Sequence, residues 1–353
     1  MSVFDHPSFD DHEKVLFADD PVTGLRAILA VHSTVRGPAV GGCRMWAYED
    51  SHAALTDVLR LSQGMSYKNV MADLPIGGGK SVIIRPKGDF DRVALFEAFG
   101  RALEALNGNY ISAEDVGVSP ADMVAARRTT RHVVGLPDGT GDPSPVTAKG
   151  VFLGIKVCVQ KALGKSSLEG VKIAVQGATG HVGSHLVGHL AEAGAELFLA
   201  DINEPALSAL AQKHGATVVD KDAIYDVDAD VFTPCALGAV INPETIDRLK
   251  VKLVAGAANN QLATREMGAE LMKRGIAYAP DYVINAGGII NVMGELDARF
   301  DAKWVEGKLV TLQSTLAEIL DTAEREGKPA NLVADELARQ RIEDARAGKK
   351  EAA

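Results

Sequence analysis

From residue 171 to residue 288 the chain alternates short apolar runs with amphipathic segments, and few folds accept that rhythm. "VKIAVQG" (171–177) reads as a strand with a turn, "VGSHLVGHLAEAG" as a helix, "AELFLAD" as a strand and "PALSALAQKHG" as a helix. "ADVFTPCAL" reads as a further strand, and "PETIDRL", "VKLVAGAAN", "REMGAELMKRG" and "IAYAPDYVINAGG" continue the pattern. A long amphipathic helix, "VTAKGVFLGIKVCVQKAL", precedes them. Strand and helix in turn, with short connections, make parallel βαβ units. The expected fold of this half is a doubly wound α/β sheet with helices on both faces. Its ligand is expected at the carboxyl ends of the strands.

The first of those strands runs into "VQGATGHVG", with glycines at 177, 180 and 183 before a helix. Glycine permits a tight turn and lets backbone N–H groups approach a pyrophosphate at the helix N-terminus. Asp201 ends the next strand. An acid there hydrogen-bonds both ribose hydroxyls of NAD and repels the 2′-phosphate of NADP. The pattern is G-x-x-G-x-x-G rather than G-x-G-x-x-G, so the fingerprint is altered. Glycines that serve packing alone are the competing reading. His181 lies in the turn, where it either meets a phosphate or is simply exposed.

The 353 residues allow about two domains at roughly 150 residues each. In the first half, Leu55, Val58, Leu59 and Ser62 recur at helical spacing over 53–62. "SVIIRP" (81–86) reads as a buried strand, 91–106 as a helix ended by "NG" at 107–108, and "YISAED" (110–115) as a short strand. The Pro/Gly-rich stretch "GLPDGTGDPSPVT" (135–147) is the candidate linker or hinge. Beyond residue 303 one long helix, a Gly-Pro-bounded break at 327–329 and a second helix are expected, with a frayed "EDARAGKKEAA" tail.

Charge and cysteine usage exclude several functions. A net charge of −10 argues against a nucleic-acid or anionic-membrane surface. No apolar run reaches the roughly 18 residues of a membrane helix, and the acidic N-terminus lacks the features of a signal peptide. Three scattered cysteines, Cys43, Cys158 and Cys235, suggest neither a zinc site nor a disulfide framework. A soluble cytoplasmic protein without metal is expected.

"MSYKNVMADLPIGGGK" (65–80) raises the question of chemistry. A Walker-type loop needs glycine five residues before Gly79, and Leu74 stands there. The alternative is a pair of lysines. Lys80 precedes a buried strand, and burial together with the like charge of Lys68 lowers a lysine's pKa. Such a lysine acts as a general base or polarises water, while Lys68 stays charged and grips a substrate carboxylate. Two solvated lysines flanking a turn are the plainer reading. "SAEDVGVSPADM" sets Glu114 and Asp115 at a strand's carboxyl end, where a carboxylate near Lys80 makes a proton-transfer partner. Helix capping is the alternative for Asp115, although Ser119 or Asp122 fills that role better. "AGAANNQL" (255–262) closes a strand with amide side chains able to bind nicotinamide or substrate, or forms a polar turn.

"GPAVGGCRMW", "LSQGMSYKN", "LPIGGGKSVI", "NGNYISAEDVG", "PVTAKGVFLGI", "VAGAANNQL" and "YAPDYVINAGGIINV" together resemble the glutamate/leucine/phenylalanine/valine dehydrogenase family, most closely its leucine dehydrogenase branch. The blocks follow the family's order over about residues 37–295. The resemblance implies NAD-dependent, reversible oxidative deamination of an L-amino acid to a 2-oxo acid and ammonia. It implies two domains closing over a cleft about 135–147. Residues 1–134 with 325–353 form the substrate and oligomerisation domain, with a mixed sheet, and 135–324 the dinucleotide domain. A homo-oligomer, dimer or octamer, is implied as well.

By the same resemblance, Lys68 matches the lysine that binds the α-carboxylate, Lys80 the catalytic lysine and Asp115 the catalytic aspartate. Gly41 and Gly42 match the backbone of the carboxylate site. Asn260 matches an asparagine shared by substrate and nicotinamide, with Asn259 adjacent, and Thr147 a threonine near the cofactor. The candidate cofactor set comprises Thr147, Gly177, Thr179, Gly180, His181, Val182, Gly183, Asp201, Ile202, Ala236, Ala257, Asn259 and Asn285. Lys80 polarises a water that attacks the iminium formed after hydride loss, and Asp115 shuttles protons.

Val40, Met65, Ala113, Ile289 and Val292 match the side-chain pocket, and all are apolar. With Met65 where a glutamate enzyme needs a cation, glutamate is disfavoured. Branched-chain amino acids are expected. Val40 is smaller than the leucine expected in a leucine enzyme, which keeps phenylalanine open. One methylene discriminates by only about 1–3 kcal/mol. The extra residue in "GATGHVG" departs from the family and is expected to alter the pyrophosphate cradle. The rivals are another nicotinamide enzyme, which does not need Lys68, Lys80 and Asp115, and a non-catalytic NAD sensor, which tolerates loss of Lys80. A transport or structural module explains none of the blocks.

Overall fold

The computed structural model describes residues 2–136, 139–297 and 299–351. The chain divides into two compact units. The first comprises Met1–Gly141, Val292–Arg299 and Ala338–Ala353, and the second Asp142–Asn291 and Phe300–Leu337.

The first unit is built on a mixed sheet. Its elements are β1 (Lys14–Asp20), β2 (Leu25–Ser33), β3 (Ala39–Trp46), α1 (Ser51–Met71), β4 (Gly77–Ile84), α2 (Arg92–Glu104), β5 (Tyr110–Glu114) and α3 (Pro120–Arg127). The strand order is β1-β2-β4-β3-β5. β1 and β4 run antiparallel to β2, whereas β3 runs parallel to both β4 and β5. Alternation along the strands gives the sheet two buried faces. Leu25, Leu29, Cys43, Ile83 and Tyr110 pack with Phe96, Phe99 and Leu103 of α2. Ile28, Ala30 and Val82 pack with Ala54, Val58 and Leu59 of α1. Asp50 caps α1 by accepting the Ala53 N–H at 2.7 Å, and Asp91 caps α2 through Ala94 at 3.0 Å. Asp122 accepts the Ser119 N–H at 2.7 Å, so the capping duty foreseen for these two residues is theirs and leaves Asp115 free of it.

The second unit is a parallel sheet with flanking helices. In chain order it contains α4 (Ser144–Leu163), β6 (Lys172–Gln176), α5 (His181–Glu192), β7 (Glu196–Ala200), α6 (Glu204–His214), β8 (Thr217–Val218) and β9 (Val231–Pro234). There follow β10 (Leu253–Val254), α7 (Met267–Lys273), β11 (Ala277–Tyr278), α8 (Asp281–Ile284), α9 (Gly287–Leu296), α10 (Ala302–Glu326) and α11 (Ala330–Glu351). Helices α9 and α11 each contribute residues to both units. The strand order β11-β10-β9-β6-β7-β8 reverses direction between β6 and β9. In a doubly wound sheet the crevice at that reversal is where a ligand binds.

Several elements differ from the expectation drawn from sequence. The glycine run at 77–79 is not a turn before a strand; it is the start of β4. The strand tolerates it because side chains are excluded there: a Cβ on Gly77 would meet Ser33 O, and one on Gly78 would meet the backbone of Ser66. The helix expected over 53–62 extends to Met71 and so carries Met65 and Lys68. Of the expected linker 135–147, residues 137 and 138 lie outside the described residues, and α4 already begins at Ser144. "PETIDRL" makes only one 3-10 turn, at Ile246–Arg248. The tail is helical through Glu351, and residues 352–353 lie outside the described residues.

Candidate active site

In the first unit the site is a consequence of strand alternation. Val82 faces α1, so Lys80, two residues earlier in β4, faces it too. Cys43 and Met45 face α2, which turns Val40, Gly42 and Arg44 of β3 toward α1. Tyr110 faces α2, which places Ala113 of β5 on the α1 side. Met65 and Lys68 lie on α1 itself, both half-buried. The substrate residues foreseen in this unit thus share one face of one sheet and the helix that covers it. Val292, in the part of α9 that belongs to this unit, is half-buried.

Lys80 is only 6% exposed, and a buried ammonium needs a counter-charge. Its Nζ lies 2.7 Å from Asp115 Oδ2. Burial pushes the Asp115 carboxyl up. The charge and hydrogen bond of Lys80 outweigh that, helped by Arg44, and the carboxyl sits below its ordinary value. The charge set against Lys80 is therefore a carboxylate. A Cβ on Gly42 would lie 2.7 Å from Asp115 Cβ and 3.3 Å from Lys80 Nζ, so glycine keeps the space beside the pair open. A Cβ on Gly41 would meet Gly79 O and come within 3.0 Å of Met65 Cγ. β3 pairs with β4 at Val40↔Gly78 and Cys43↔Ser81, and Gly41 and Gly42 between them pair with Ser112 and Ala113 of β5. The buried Tyr110 hydroxyl donates to Gly41 O at 3.0 Å and lies 3.2 Å from Gly42 O. It pins that segment from below.

Arg44 was not foreseen. Its Nε donates to Asp115 Oδ2 at 3.2 Å, and its Nη1 donates to Asp57 Oδ2 at 3.0 Å. Tyr48 OH donates to the same Asp57 oxygen at 2.6 Å. Burial pulls the guanidinium's pKa down, but Asp115 and Asp57 outweigh it and the pKa is raised. The signal was present: once "AVGGCRMW" is read as a strand, Arg44 is two residues beyond Gly42 and on the same face.

In the second unit Gly177 follows β6, Ala236 follows β9 and Asp201 follows β7, while Thr147 lies on α4 and Asn285 just after α8. Gly177 follows β6 with φ +77°, the left-handed region that favours glycine. A Cβ there would lie 2.7–2.9 Å from Ala236, which follows β9. Gly180 caps α5, His181 and Val182 open it, and a Cβ on Gly183 would run into Gly177 O. At Gly177 and Gly183 no side chain fits, so backbone approaches closely at the start of α5, as an anion cradle requires. Asp201, just after β7, accepts the Thr179 N–H at 2.9 Å. Ile202 beside it is 86% exposed, so within this unit it packs against nothing. His181 is exposed.

Asn285 Nδ2 donates to Ala257 O at 3.0 Å and to Asn259 Oδ1 at 2.8 Å, so this network runs through Asn259. Asn260 has a left-handed backbone, φ +52°, and its carbonyl accepts the Ala239 N–H at 2.7 Å. Thr147 on α4 abuts α9: a Cβ on Gly287 would lie 2.7 Å from Thr147 Cα. Ile289, also on α9, is half-buried.

Comparison with known proteins bears on both units. Residues 12–132 match the family model described as Glu/Leu/Phe/Val dehydrogenase, dimerisation domain, and residues 199–349 match the model described as Glutamate/Leucine/Phenylalanine/Valine dehydrogenase. The chain is 46% identical to leucine dehydrogenase of Bacillus subtilis (strain 168) over 346 residues, 97% of this chain and 94% of that one. It is 45% identical to phenylalanine dehydrogenase of Bacillus thermotolerans over 340 residues, 94% and 88% of the two chains. The crystal structure of L-tryptophan dehydrogenase from Nostoc punctiforme superposes with a TM-score of 0.86 at 41% identity, covering 95% of this chain and 97% of that one. A glycine turn between strand and helix on one sheet, a lysine–aspartate pair on another and identity at this level over nearly the full length lead to one conclusion: the chain belongs to the Glu/Leu/Phe/Val dehydrogenase family and is an NAD-dependent amino acid dehydrogenase.

Proposed function

We propose that the chain's substrate is an apolar L-amino acid, with leucine or valine favoured, deaminated reversibly to the 2-oxo acid and ammonia. The observation that carries this reading is the pair of buried Lys80 and half-buried Asp115, 2.7 Å apart, beside the open backbone of Gly42. Val40 and Ala113 share its sheet face, and Met65 reaches Gly41. A distal carboxylate would meet a thioether and alkyl groups there, and its desolvation would go uncompensated.

Each residue then has a role. Lys68 grips the α-carboxylate and keeps the reacting atoms aligned. The Gly41–Gly42 backbone, pinned by Tyr110, lines that site. NAD would supply the acceptor for the hydride that leaves Cα. Gly177, Gly180 and Gly183 would hold its pyrophosphate on the N-terminus of α5, and Asp201 its ribose hydroxyls. Asn259, Asn260 and Asn285 would position amide groups near the nicotinamide and the substrate. Lys80 polarises the water that adds to the iminium carbon. Asp115 takes a proton from that water's side and returns one to the departing amine, so ammonia leaves as the oxo acid forms.

Phenylalanine is the second reading, favoured by Val40, which leaves more room than the leucine expected of a leucine enzyme. NADH formation from L-leucine, L-valine, L-phenylalanine, L-tryptophan and L-glutamate at alkaline pH decides the order. Turnover is expected with the branched-chain substrates and none with glutamate, and Lys80→Ala is expected to lose about 10³-fold in kcat. A glutamate preference, or an unimpaired Lys80→Ala, would refute the assignment.

The chain is further inferred to act as a homo-oligomer in the cytoplasm. Support comes from the dimerisation-domain match over 12–132 and from three unpaired cysteines. A monomer mass by light scattering would contradict the assembly, and secretion to the medium the compartment.

A further inference from the structure

We propose that Arg44 is a positioning residue: it holds the Asp115 carboxylate in place against Lys80, and it is itself held by Asp57 and Tyr48. The inference rests on Asp115 being the proton-transfer carboxylate.

The geometry is a chain of alternating charge. Lys80 Nζ and Arg44 Nε both make their closest approach to Asp115 Oδ2, at 2.7 and 3.2 Å. On its other edge the guanidinium meets Asp57, and Tyr48 completes Asp57's shell. A planar fork with separate Nε and Nη donors can serve two carboxylates at once; a lysine ammonium on a flexible stem does not fix both.

The fixing is needed because Arg44 borders open space. Arg44, Tyr48, Asp57, Trp46, Arg60 and Val116 line a hollow of about 600 Å³. A room of that size holds many waters. Without the tie to Asp57, Arg44 could turn into it, and the carboxylate could then exchange Lys80 for water. Proton transfer falls steeply once the carboxylate leaves hydrogen-bond reach.

The groups that act on Asp115 bear on any pH readout. Lys80 from β4 and Arg44 from β3 contact it, Asp57 on α1 holds Arg44's other edge, and Tyr48 acts from the segment before α1; Cys43 and Tyr110 act on it only through their charge, and Glu114 precedes it on β5. Burial pushes the Cys43 thiol up to about 12 and raises both phenols, so these stay neutral where a carboxylate titrates. Two carboxylates compete: Asp57, bonded to Arg44 and probed by Asp57→Asn, and Glu114, whose carboxyl is raised by burial. A Glu114→Gln control separates it.

The test is the pH profile of kcat/KM for L-leucine with NAD in Arg44→Gln, Arg44→Lys, Asp57→Asn and wild type. Arg44→Gln is expected to move the acid limb up by at least about half a pH unit, because a cation that favours the carboxylate is gone. Its kcat is expected to fall about tenfold while KM for leucine stays within about twofold, since Arg44 does not touch substrate. Asp57→Asn, the milder change, should shift the limb in the same direction by less and keeps the test open if Arg44→Gln does not fold. Arg44→Lys should fall between Arg44→Gln and wild type.

An unmoved limb in both Arg44→Gln and Asp57→Asn overturns the proposal. So does a tenfold rise in KM with kcat unchanged, or loss of the limb in Glu114→Gln. Asp115→Asn is a separate arm: if it is dead while the Arg44 variants are normal, only the positioning role falls. Turnover by Asp115→Asn at the wild-type rate removes the assignment of Asp115 itself.

Discussion

The two sheets carry their chemistry at different places along their strands, and this decides how each can be damaged. In the second unit the candidate residues lie beyond strand ends: Gly177 after β6, Ala236 after β9, Asp201 after β7. In the first unit Lys80 sits inside β4, paired across to Ala30, and Gly42 and Arg44 sit inside β3. A turn after a strand can change shape at small cost to the core. A mid-strand site shares its backbone with the core and cannot.

Two glycine substitutions sharpen that contrast and give the largest effect. Gly78→Ala would drive a methyl into the backbone of Ser66, in the middle of α1. It should cost at least about 1–3 kcal/mol of unfolding free energy in urea and lower kcat as well. Gly183→Ala would press a methyl onto Gly177 O in the turn. It should raise KM for NAD about tenfold or more and leave KM for leucine within about twofold. Equal stability losses with no change in cofactor KM would erase the distinction.

A smaller effect concerns α1, which covers the first sheet and carries Met65 and Lys68. His12 packs under it. The Asp10 N–H donates to His12 Nδ1 at 3.2 Å, so Nε2 carries the proton and donates to Leu59 O at 3.1 Å. Burial, then the nearby His32, hold the His12 imidazolium down to about 4. The folded pKa lies below the ordinary 6.5, so the folded state favours neutral His12. Its contribution is intact above about pH 6.5 and is lost as the pH falls toward 4, where a proton on Nδ1 displaces the Asp10 bond. The loss is on the order of 2 kcal/mol. Thermal unfolding from pH 7 to pH 4 should show it, and His12→Gln should flatten the slope. Hydrogen exchange should open α1 before β6 and β9. A slope unchanged in His12→Gln would show that other groups set it.

The two units also differ in how far they can be read from sequence. The second was legible because period-2 and period-3.6 patterns alternate and because the Gly177–Gly183 turn sits between a strand and a helix. Its shortest strands, β8, β10 and β11, have two residues each, too few to show a period. The first unit was harder. β2 and β3 are buried on both faces and show no alternation, β3 carries the pair Gly41–Gly42, and β1 is a partly exposed edge strand with no clear period. The run at 77–79 looked like a turn because its glycines answer to side-chain exclusion by Ser33, Ser66 and Tyr110, distant in sequence. Lys80 and Asp115 were named from the family resemblance and from chemistry. That Asp115 lies 2.7 Å from Lys80, with Arg44 on the same carboxylate oxygen, belongs to the pairing of β4, β3 and β5. The spacing of 35 residues does not encode it.

The most direct test of the account is a double-mutant cycle on that contact. kcat for leucine oxidation is measured in Lys80→Ala, Asp115→Asn and the double variant. Groups that act as one unit lose their contribution once, so the double variant should be no slower than the worse single variant by more than about threefold. Losses that multiply, each variant removing its own factor independently, would contradict a Lys80–Asp115 proton-transfer unit.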